Sequence, residues 1–257
     1  MSEEKVPKMK TLFWALKLLE CFDEEHTRLG VTELSERMSI PKSSVCNALS
    51  TFEQLGYIRK HSATGKYSLG PKVLCLYHSY FTGNSDAKAY EQECKALSDR
   101  TNSIIQVAVR TGDRLVCLAN AHPPRYQQNN LSGSAISFHS TAIGKAVLAF
   151  MDQPRKERIL AGELESFTRH TLTDRDALEL EMETIRRRDF AVDFMEHEYG
   201  MCSVAIPLWR SEQHSQPPRY ALGITVPAER LTDDQVFDLV KILRDSHKDA
   251  RSRLLSE

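Results

Sequence analysis

VTELSERMSIPKSSVCNALSTFEQLGYIRK, Val31 to Lys60, is the stretch whose reading decides the fold. Val31, Leu34 and Met38 repeat at helical spacing, with Glu33, Ser35, Glu36 and Arg37 off that face. Thr32 is placed to cap this first short helix. Pro41 suits the start of the next one, because its missing N–H would have no intrahelical partner there. Val45, Ala48, Leu49, Phe52 and Leu55 then form a buried stripe that stops at Gly56. The opposite face carries Ser43, Cys46, Asn47, Ser50 and Gln54, with Lys42 near its N-terminal end. Small hydroxyls and an amide reach phosphates and base edges without steric conflict.

The flanks extend this pattern into a winged helix-turn-helix. Leu12, Ala15, Leu16, Leu19 and Phe22 share one face of a preceding helix over Thr11–Phe22. Behind Gly56, Tyr57–Leu69 reads as a hairpin with Gly65 at its tip. Arg59, Lys60 and Lys66 give that hairpin a basic edge. A small helical bundle without a ligand explains the helices alone; the basic hairpin favours a nucleic-acid binder. The expected contacts to DNA are Lys42, Ser43, Ser44, Asn47, Arg59, Lys60 and Lys66.

Charge limits the mode of binding. Arg28 to Lys72 holds seven basic and three acidic residues, a local +4, while the whole chain carries a formal −1. That excludes a polycation that coats nucleic acid. A few placed phosphate contacts are expected, and with them a corresponding salt dependence.

The 257 residues, 41% hydrophobic and 27% charged, suffice for two domains. No apolar run approaches the ~20 residues of a membrane span. MSEEKVPKMK has no apolar leader segment, and the six scattered cysteines form no C-x-x-C pair or disulfide framework. A cytoplasmic chain without membrane partners is expected. The domain boundary follows the hairpin: residues 1–70 form the DNA-binding domain, 71–85 a linker helix, and 86–257 a second domain. Val73, Leu74, Leu76, Tyr77, Tyr80 and Phe81 give the linker helix more apolar surface than one small domain needs; beyond packing on its own winged helix, it is expected to contact a second chain or join the domains.

The second domain reads as mixed α and β. Ala87–Thr101 is helical; Ser103–Val109 and Arg114–Ala121 pair as a hairpin about Thr111-Gly112-Asp113. Ser140–Met151 is a helix with Thr141 as cap, and Thr173 caps another with Leu178, Met182 and Ile185 on one face. Cys202–Trp209 and Tyr220–Pro227 are core strands. Thr232 and Gln235 form a capping-box pattern ahead of the Val236, Leu239, Val240, Leu243 stripe. An α+β domain with an antiparallel sheet covered by helices follows.

At this point the residues carry a family resemblance over nearly the whole chain. TELSERMSIPKSSVCNALSTFEQLGYI with GKYSLGPKV resembles the winged helix of the IclR family of bacterial transcriptional regulators. SFHSTAIGKAVLAF (Ser137–Phe150) and TLTDRDALELEMETIRRRDFAVDFMEHEYGMCSVAIPLW (Thr171–Trp209) resemble that family's two signatures in the second domain. The resemblance implies a GAF- or profilin-like effector domain that binds a small organic, sugar or aromatic acid. Carried over, the effector positions are Ala142, Ile143, Asp193, Met201, Ser203, Gly223 and Thr225, with His139, Ser140 and Thr141 nearby. N–H groups at a helix start favour an anion, and the Ser203 and Thr225 hydroxyls can orient it. Asn47 stands where the family often has arginine, and Ser203, Gly223 and Thr225 also depart from some members, so neither base preference nor ligand transfers.

The implied function is a ligand-responsive regulator, by family tendency a repressor, bound as a dimer or tetramer to a pseudo-palindromic double-stranded operator. No cofactor or metal is required. Two alternatives stand beside it. Asp193, His197 and Cys202 lie close enough in sequence to be drawn as a Cys–His–Asp arrangement of an enzyme, without a recognisable nucleophile turn. His122, His139, His197 and Cys202 match no short metal motif. The other alternative is an effector-independent DNA-binding oligomer.

Overall fold

The structure is a computed structural model that describes residues 8–126, 131–209 and 216–254. The chain divides into two compact units, Met1–Gly83 and Asn84–Glu257.

The first unit holds α1 (Lys10–Leu19), α2 (Val31–Met38), α3 (Lys42–Gln54), strands β1 (Ile58–Lys60) and β2 (Tyr67–Leu69), and α4 (Lys72–Gly83). Leu18, Phe22, Leu29, Leu34, Met38, Val45, Leu49, Ile58 and Tyr67 form its core. Each fully buried aliphatic side chain there contributes roughly 1.5–3 kcal/mol of burial. The wing strands pair antiparallel from Ile58–Leu69 to Lys60–Tyr67. Leu29 adds a third rung, exchanging both backbone hydrogen bonds with Tyr67 at 3.0 and 2.8 Å.

Three local expectations are corrected. Helix α1 ends at Leu19, though Phe22 beyond it stays buried. Thr32 does not cap α2. The helix begins at Val31 behind an extended Gly30, whose N–H donates to the Glu33 carboxylate at 2.6 Å. The backbone pair at Leu29 fixes where the extended chain stops, and so moves the cap ahead of Thr32. Leu55 is 57% exposed, because α3 closes at Gln54 and Gly56, at φ +81°, turns the chain into the wing.

The second unit is a five-stranded antiparallel sheet in the order β4-β3-β7-β6-β5. Its strands are β3 (Ile104–Thr111), β4 (Arg114–Ala121), β5 (Ala191–Phe194), β6 (Met201–Leu208) and β7 (Tyr220–Pro227). Helices α5 (Ser85–Thr101) and α9 (Asp233–Leu254) pack on the sheet and on each other. Helices α6 (Ala142–Leu148) and α8 (Arg175–Arg188) form another layer, with α6 across β5, β6 and β7. Short α7 (Gln153–Ile159) and edge strand β5 had no strong period in the sequence; each spans too few residues to show one.

Thr141 caps α6, accepting from the Gly144 N–H at 2.9 Å. For α8 the cap is Asp174, not Thr173: its carboxylate accepts from the Ala177 N–H at 2.9 Å. A charged acceptor at a helix N-terminus also gains from the helix dipole. Half of the expected box at α9 forms, with the Thr232 N–H donating to Gln235 at 2.9 Å.

The sheet face beneath α6 is built from small residues. Ala205 pairs with Ala191 on one side and Gly223 on the other. A Cβ on Gly223 would lie 2.6 Å from Ile143 Cγ1, so glycine is what lets α6 approach the sheet. Gly144 is tighter still. A Cβ there would lie 2.6 Å from Phe138 Cα and overlap the Ser137 carbonyl oxygen.

Candidate nucleic-acid interface and effector site

The outer face of α3 is polar, small and open. Lys42, Ser43, Ser44, Cys46, Asn47 and Ser50 are all exposed, while Val45 and Leu49 on the other side are fully buried. The interior face therefore anchors the helix, and the exposed one is free to meet a partner. Thr51 alone turns inward to its own helix, donating to the Asn47 carbonyl at 2.9 Å.

On the wing, Arg59 and Lys60 are exposed on β1, and Lys60 lies 5.6 Å from the centre of the Tyr67 ring. Lys66 also has a partner: its ammonium donates to the Glu33 carboxylate of α2 at 2.9 Å. Glu33 thus ties the α2 start to the wing, and the Gly30 N–H followed by the Lys66 ammonium holds its pKa below the ordinary carboxylate value. Sequence spacing gave no sign of this 33-residue link.

In the second unit, strand register brings three expected residues into one row. Asp193 pairs with Ser203, and Ser203 pairs with Thr225. The Ser203 and Thr225 hydroxyls are hydrogen-bonded at 2.9 Å. Gly223, two residues before Thr225, lies on the same sheet face, under Ile143 of α6. Ala142 and Ile143 are buried at the start of that helix, and Met201, two residues before Ser203, is half-buried.

Asp193 is 4% exposed. Its Oδ1 accepts the Glu196 N–H at 2.7 Å, closing the turn after β5. Burial pushes its carboxyl up to about 7, outweighing the backbone N–H.

Two residues absent from the sequence reading dominate the electrostatics here. Lys145 of α6 is 1% exposed, and its ammonium donates to the buried Glu196 carboxylate. Glu181 of α8 stands 3.7 Å from the same ammonium and is bonded in turn by Arg188 at 2.9 Å. Burial raises the Glu196 pKa, opposed by Lys145. Lys145 falls between apolar neighbours in the α6 pattern, at a position where lysine normally reaches solvent, so only its tertiary surroundings single it out.

His139 is engaged on both ring nitrogens, with Nε2 2.8 Å from the Glu165 carbonyl and Nδ1 3.2 Å from Ser137 Oγ. Ser140 Oγ meets His197 Nδ1 at 3.0 Å, and Phe167 lies against the His197 ring. Thr168 and Thr171 donate to the Met195 and Glu196 carbonyls at 2.6 and 2.5 Å, fixing the loop after β5.

The enzyme-like arrangement does not assemble. Cys202 is fully buried, and as the neighbour of Ser203 on β6 it points to the sheet face opposite the Asp193–Ser203–Thr225 row. Burial raises its thiol pKa, which suppresses the reactive thiolate. No described helix is long and apolar enough to cross a membrane.

Comparison with known proteins accounts for both units. The IclR helix-turn-helix domain matches residues 11–62, and the bacterial transcriptional regulator IclR C-terminal domain matches residues 84–251. The chain is 29% identical over 237 residues to the HTH-type transcriptional regulator XynR of Escherichia coli (strain K12), covering 90% of this chain and 91% of that protein. It superposes with a TM-score of 0.83 and 26% identity on the crystal structure of an IclR transcriptional regulator from Silicibacter sp. TM1040, covering 95% of each chain. It shares the fold of an IclR homologue from Microbacterium hydrocarbonoxydans, crystallised with 4-hydroxybenzoate, at a TM-score of 0.70 and 19% identity over 94% of this chain and 99% of that one. The winged helix, the helix-covered antiparallel sheet and both family matches agree, and this chain is a transcriptional regulator that belongs to the IclR family.

Proposed function

We propose that the chain is a ligand-responsive repressor of a catabolic operon, with residues 1–70 binding operator, 71–85 linking and 86–257 sensing a small carboxylate metabolite. Two chains pair through α4 and the winged unit on a pseudo-palindrome, with half-sites about 34–36 Å apart or a multiple of that. In α4 no side chain is buried, and Leu74, Leu76, Tyr77 and Tyr80 are 42–68% exposed, which supports pairing there. Lys42, Ser43, Ser44 and Asn47 enter the major groove, while Arg59, Lys60 and Lys66 meet the phosphates. Family tendency supports repression over activation.

The observation that carries the effector reading is the Asp193–Ser203–Thr225 row opposite the start of α6. His139, Thr141, Ala142, Ile143, Met201 and Gly223 complete the proposed site. The carboxylate accepts from the Ser203 and Thr225 hydroxyls and from first-turn N–H groups. The aromatic acid in the Microbacterium hydrocarbonoxydans neighbour supports a ligand of this class. The two hydroxyls bond each other and Ile143 covers Gly223. An effector breaks that bond and displaces α6. This difference in contacts between free and bound arrangements is what lets it change DNA affinity.

The test is a band-shift titration against the upstream intergenic DNA, with and without a panel of sugar and aromatic acids. A specific shift altered by one compound is expected. Operator binding that no carboxylate alters would overturn the effector reading and leave the effector-independent oligomer. Operator affinity unchanged by Lys42→Ala and Asn47→Ala at fixed salt would overturn the placement of α3.

A further inference from the structure

Two arginines stand side by side at one end of the sheet in the second unit. Ala108 pairs with Ala221 and Val109 with Tyr220, which makes Arg110 and Arg219 the next pair across β3 and β7. The Arg110 N–H donates to the Arg219 carbonyl at 2.7 Å. Ala108 and Ala221 belong to the core that also holds residues of α6 and α8, so by strand alternation both arginines lie on that face of the sheet. Like charges directly opposite each other on neighbouring strands are destabilising.

The acids around them are engaged elsewhere. Asp113, in the turn between β3 and β4, accepts from Arg158 Nε at 3.0 Å and stands 3.3 Å from Arg155 Nε. Asp152 caps α7 and lies 3.7 Å from Arg155 Nη1. Glu157 accepts from Gln153 within α7. Asp86 accepts from the Tyr220 hydroxyl at 3.4 Å, and Tyr220 alternates to the other face of the sheet.

Among the described residues neither Arg110 nor Arg219 makes an ion pair with a carboxylate. Arg110 Nη1 donates to the Gly112 carbonyl at 3.3 Å, and its buried Nε has no hydrogen-bond partner among those residues. Burial, followed by the charges of Arg155 and Arg219, holds the Arg110 pKa below the ordinary value; Asp113 and Asp152 oppose this more weakly. The field at Arg110 is therefore positive with both nearby acids counted.

We propose that Arg110 and Arg219 form an anion site for a phosphate dianion, either the free ion or the phosphoryl group of a small monoester. One dianion between the two guanidinium groups neutralises both, and its oxygens accept from both planar forks. A carboxylate carries a single charge and leaves the other guanidinium without a counter-ion. Arg219 is exposed and Arg110 half-buried, so the site opens to solvent. It lies at the opposite end of β7 from Thr225, roughly 20 Å along the strand. It shares neither residues nor ligand class with the Asp193 row.

The test is calorimetric titration of the full-length protein with inorganic phosphate and with glycerol 3-phosphate, in phosphate-free, low-salt buffer at pH 8, where both are mainly dianions. Saturable binding of one anion per chain is expected. Dimethyl phosphate and acetate, both monoanions, bind at least about tenfold more weakly. Arg219→Gln, at an exposed position, weakens phosphate binding about tenfold or more. Arg219→Glu abolishes it and raises the melting temperature in phosphate-free buffer, because the substitution itself supplies a negative charge opposite Arg110. Ser203→Leu binds phosphate as wild type does. Tighter binding of glycerol 3-phosphate assigns a phosphorylated metabolite, and tighter binding of inorganic phosphate assigns the free ion; both support the site.

No saturable binding up to millimolar anion would overturn the proposal. So would equal binding of dimethyl phosphate, unchanged binding in Arg219→Gln, or loss of binding in Ser203→Leu. A lower phosphate-free melting temperature in Arg219→Glu would show that Arg219 already has its counter-charge within the chain, and would overturn it as well. None of these results alters the operator titration, which reads the response to carboxylates.

Discussion

Lys145 on α6 and Glu196 on the loop after β5 form a buried ion pair that ties the helix to the turn held by Asp193. Both side chains are more than nine-tenths shielded, and Glu196 Oε2 has no hydrogen-bond partner among the described residues. Such a pair is costly to break and cheap to replace as a unit. Lys145→Met is expected to destabilise the protein by about 3–5 kcal/mol, since it leaves a buried carboxylate without its cation. Adding Glu196→Leu should recover most of that loss. Urea denaturation of wild type, both single variants and the double variant measures it. Additive losses would contradict the pairing.

Asp193 gives a pH-dependent prediction of definite sign. Its folded carboxyl titrates at about 7, above the ordinary 3.8, so the folded state holds the proton that the unfolded state releases. Stability contributed by this group is therefore present below pH 3.8 and falls as pH rises toward 7. The full span corresponds to about 4 kcal/mol as an order of magnitude. Asp193→Asn keeps an oxygen to accept the Glu196 N–H and carries no charge. Its stability relative to wild type should increase between pH 4 and pH 8, read from denaturation midpoints across that range. A difference independent of pH would show that Asp193 is ionised throughout.

The two tight glycines of the second unit should respond unequally to alanine. At Gly144 the added Cβ meets backbone at Ser137 and Phe138, which cannot move without dragging the loop ahead of α6. Gly144→Ala is expected to cost about 3 kcal/mol or more, or to prevent folding. At Gly223 the obstacle is the Ile143 side chain, which can rotate or be trimmed. Gly223→Ala should cost roughly 1–3 kcal/mol, and Ile143→Ala in the same chain should recover part of it. Thermal melts of the three variants separate these outcomes.

On the DNA side, Asn47→Ala is expected to cost about 1–3 kcal/mol of operator affinity and to relax specificity at one base position. Lys42→Ala should weaken all sequences alike and lower the slope of log affinity against log salt by about 1. Glu33→Gln removes the carboxylate that engages Lys66. It should strengthen non-specific binding if Lys66 then reaches phosphate. Fluorescence anisotropy at several salt concentrations reads all three.

The cysteines should divide by burial. Cys94 and Cys117 are buried, and burial pushes the Cys117 thiol up to about 12 and Cys94 well above its ordinary value. Both should resist alkylation at pH 8 until the chain unfolds, while the exposed Cys46 on α3 reacts at once. Bound operator should slow the Cys46 reaction, which mass spectrometry of the labelled peptides records.

The sequence by itself determined the winged helix, because there local periodicity and tertiary burial coincide. Val45 and Leu49 repeat at helical spacing and are the residues the small core needs, so pattern and structure carry the same information. Much the same holds for β3, β4, β6 and β7, each long enough to show an apolar strand. Where two cap formers stand side by side, as at Thr173-Asp174, or a helix start depends on a distant rung, as Gly30 depends on Leu29–Tyr67, the local signal was ambiguous. Only the tertiary structure decided which polar groups meet. The Lys145–Glu196 pair spans 51 residues, the Lys66–Glu33 link 33, and the Asp193–Ser203–Thr225 row follows strand register. Periodicity reports which side of an element faces the core, whereas the partner of a buried charge is set by how separate elements pack.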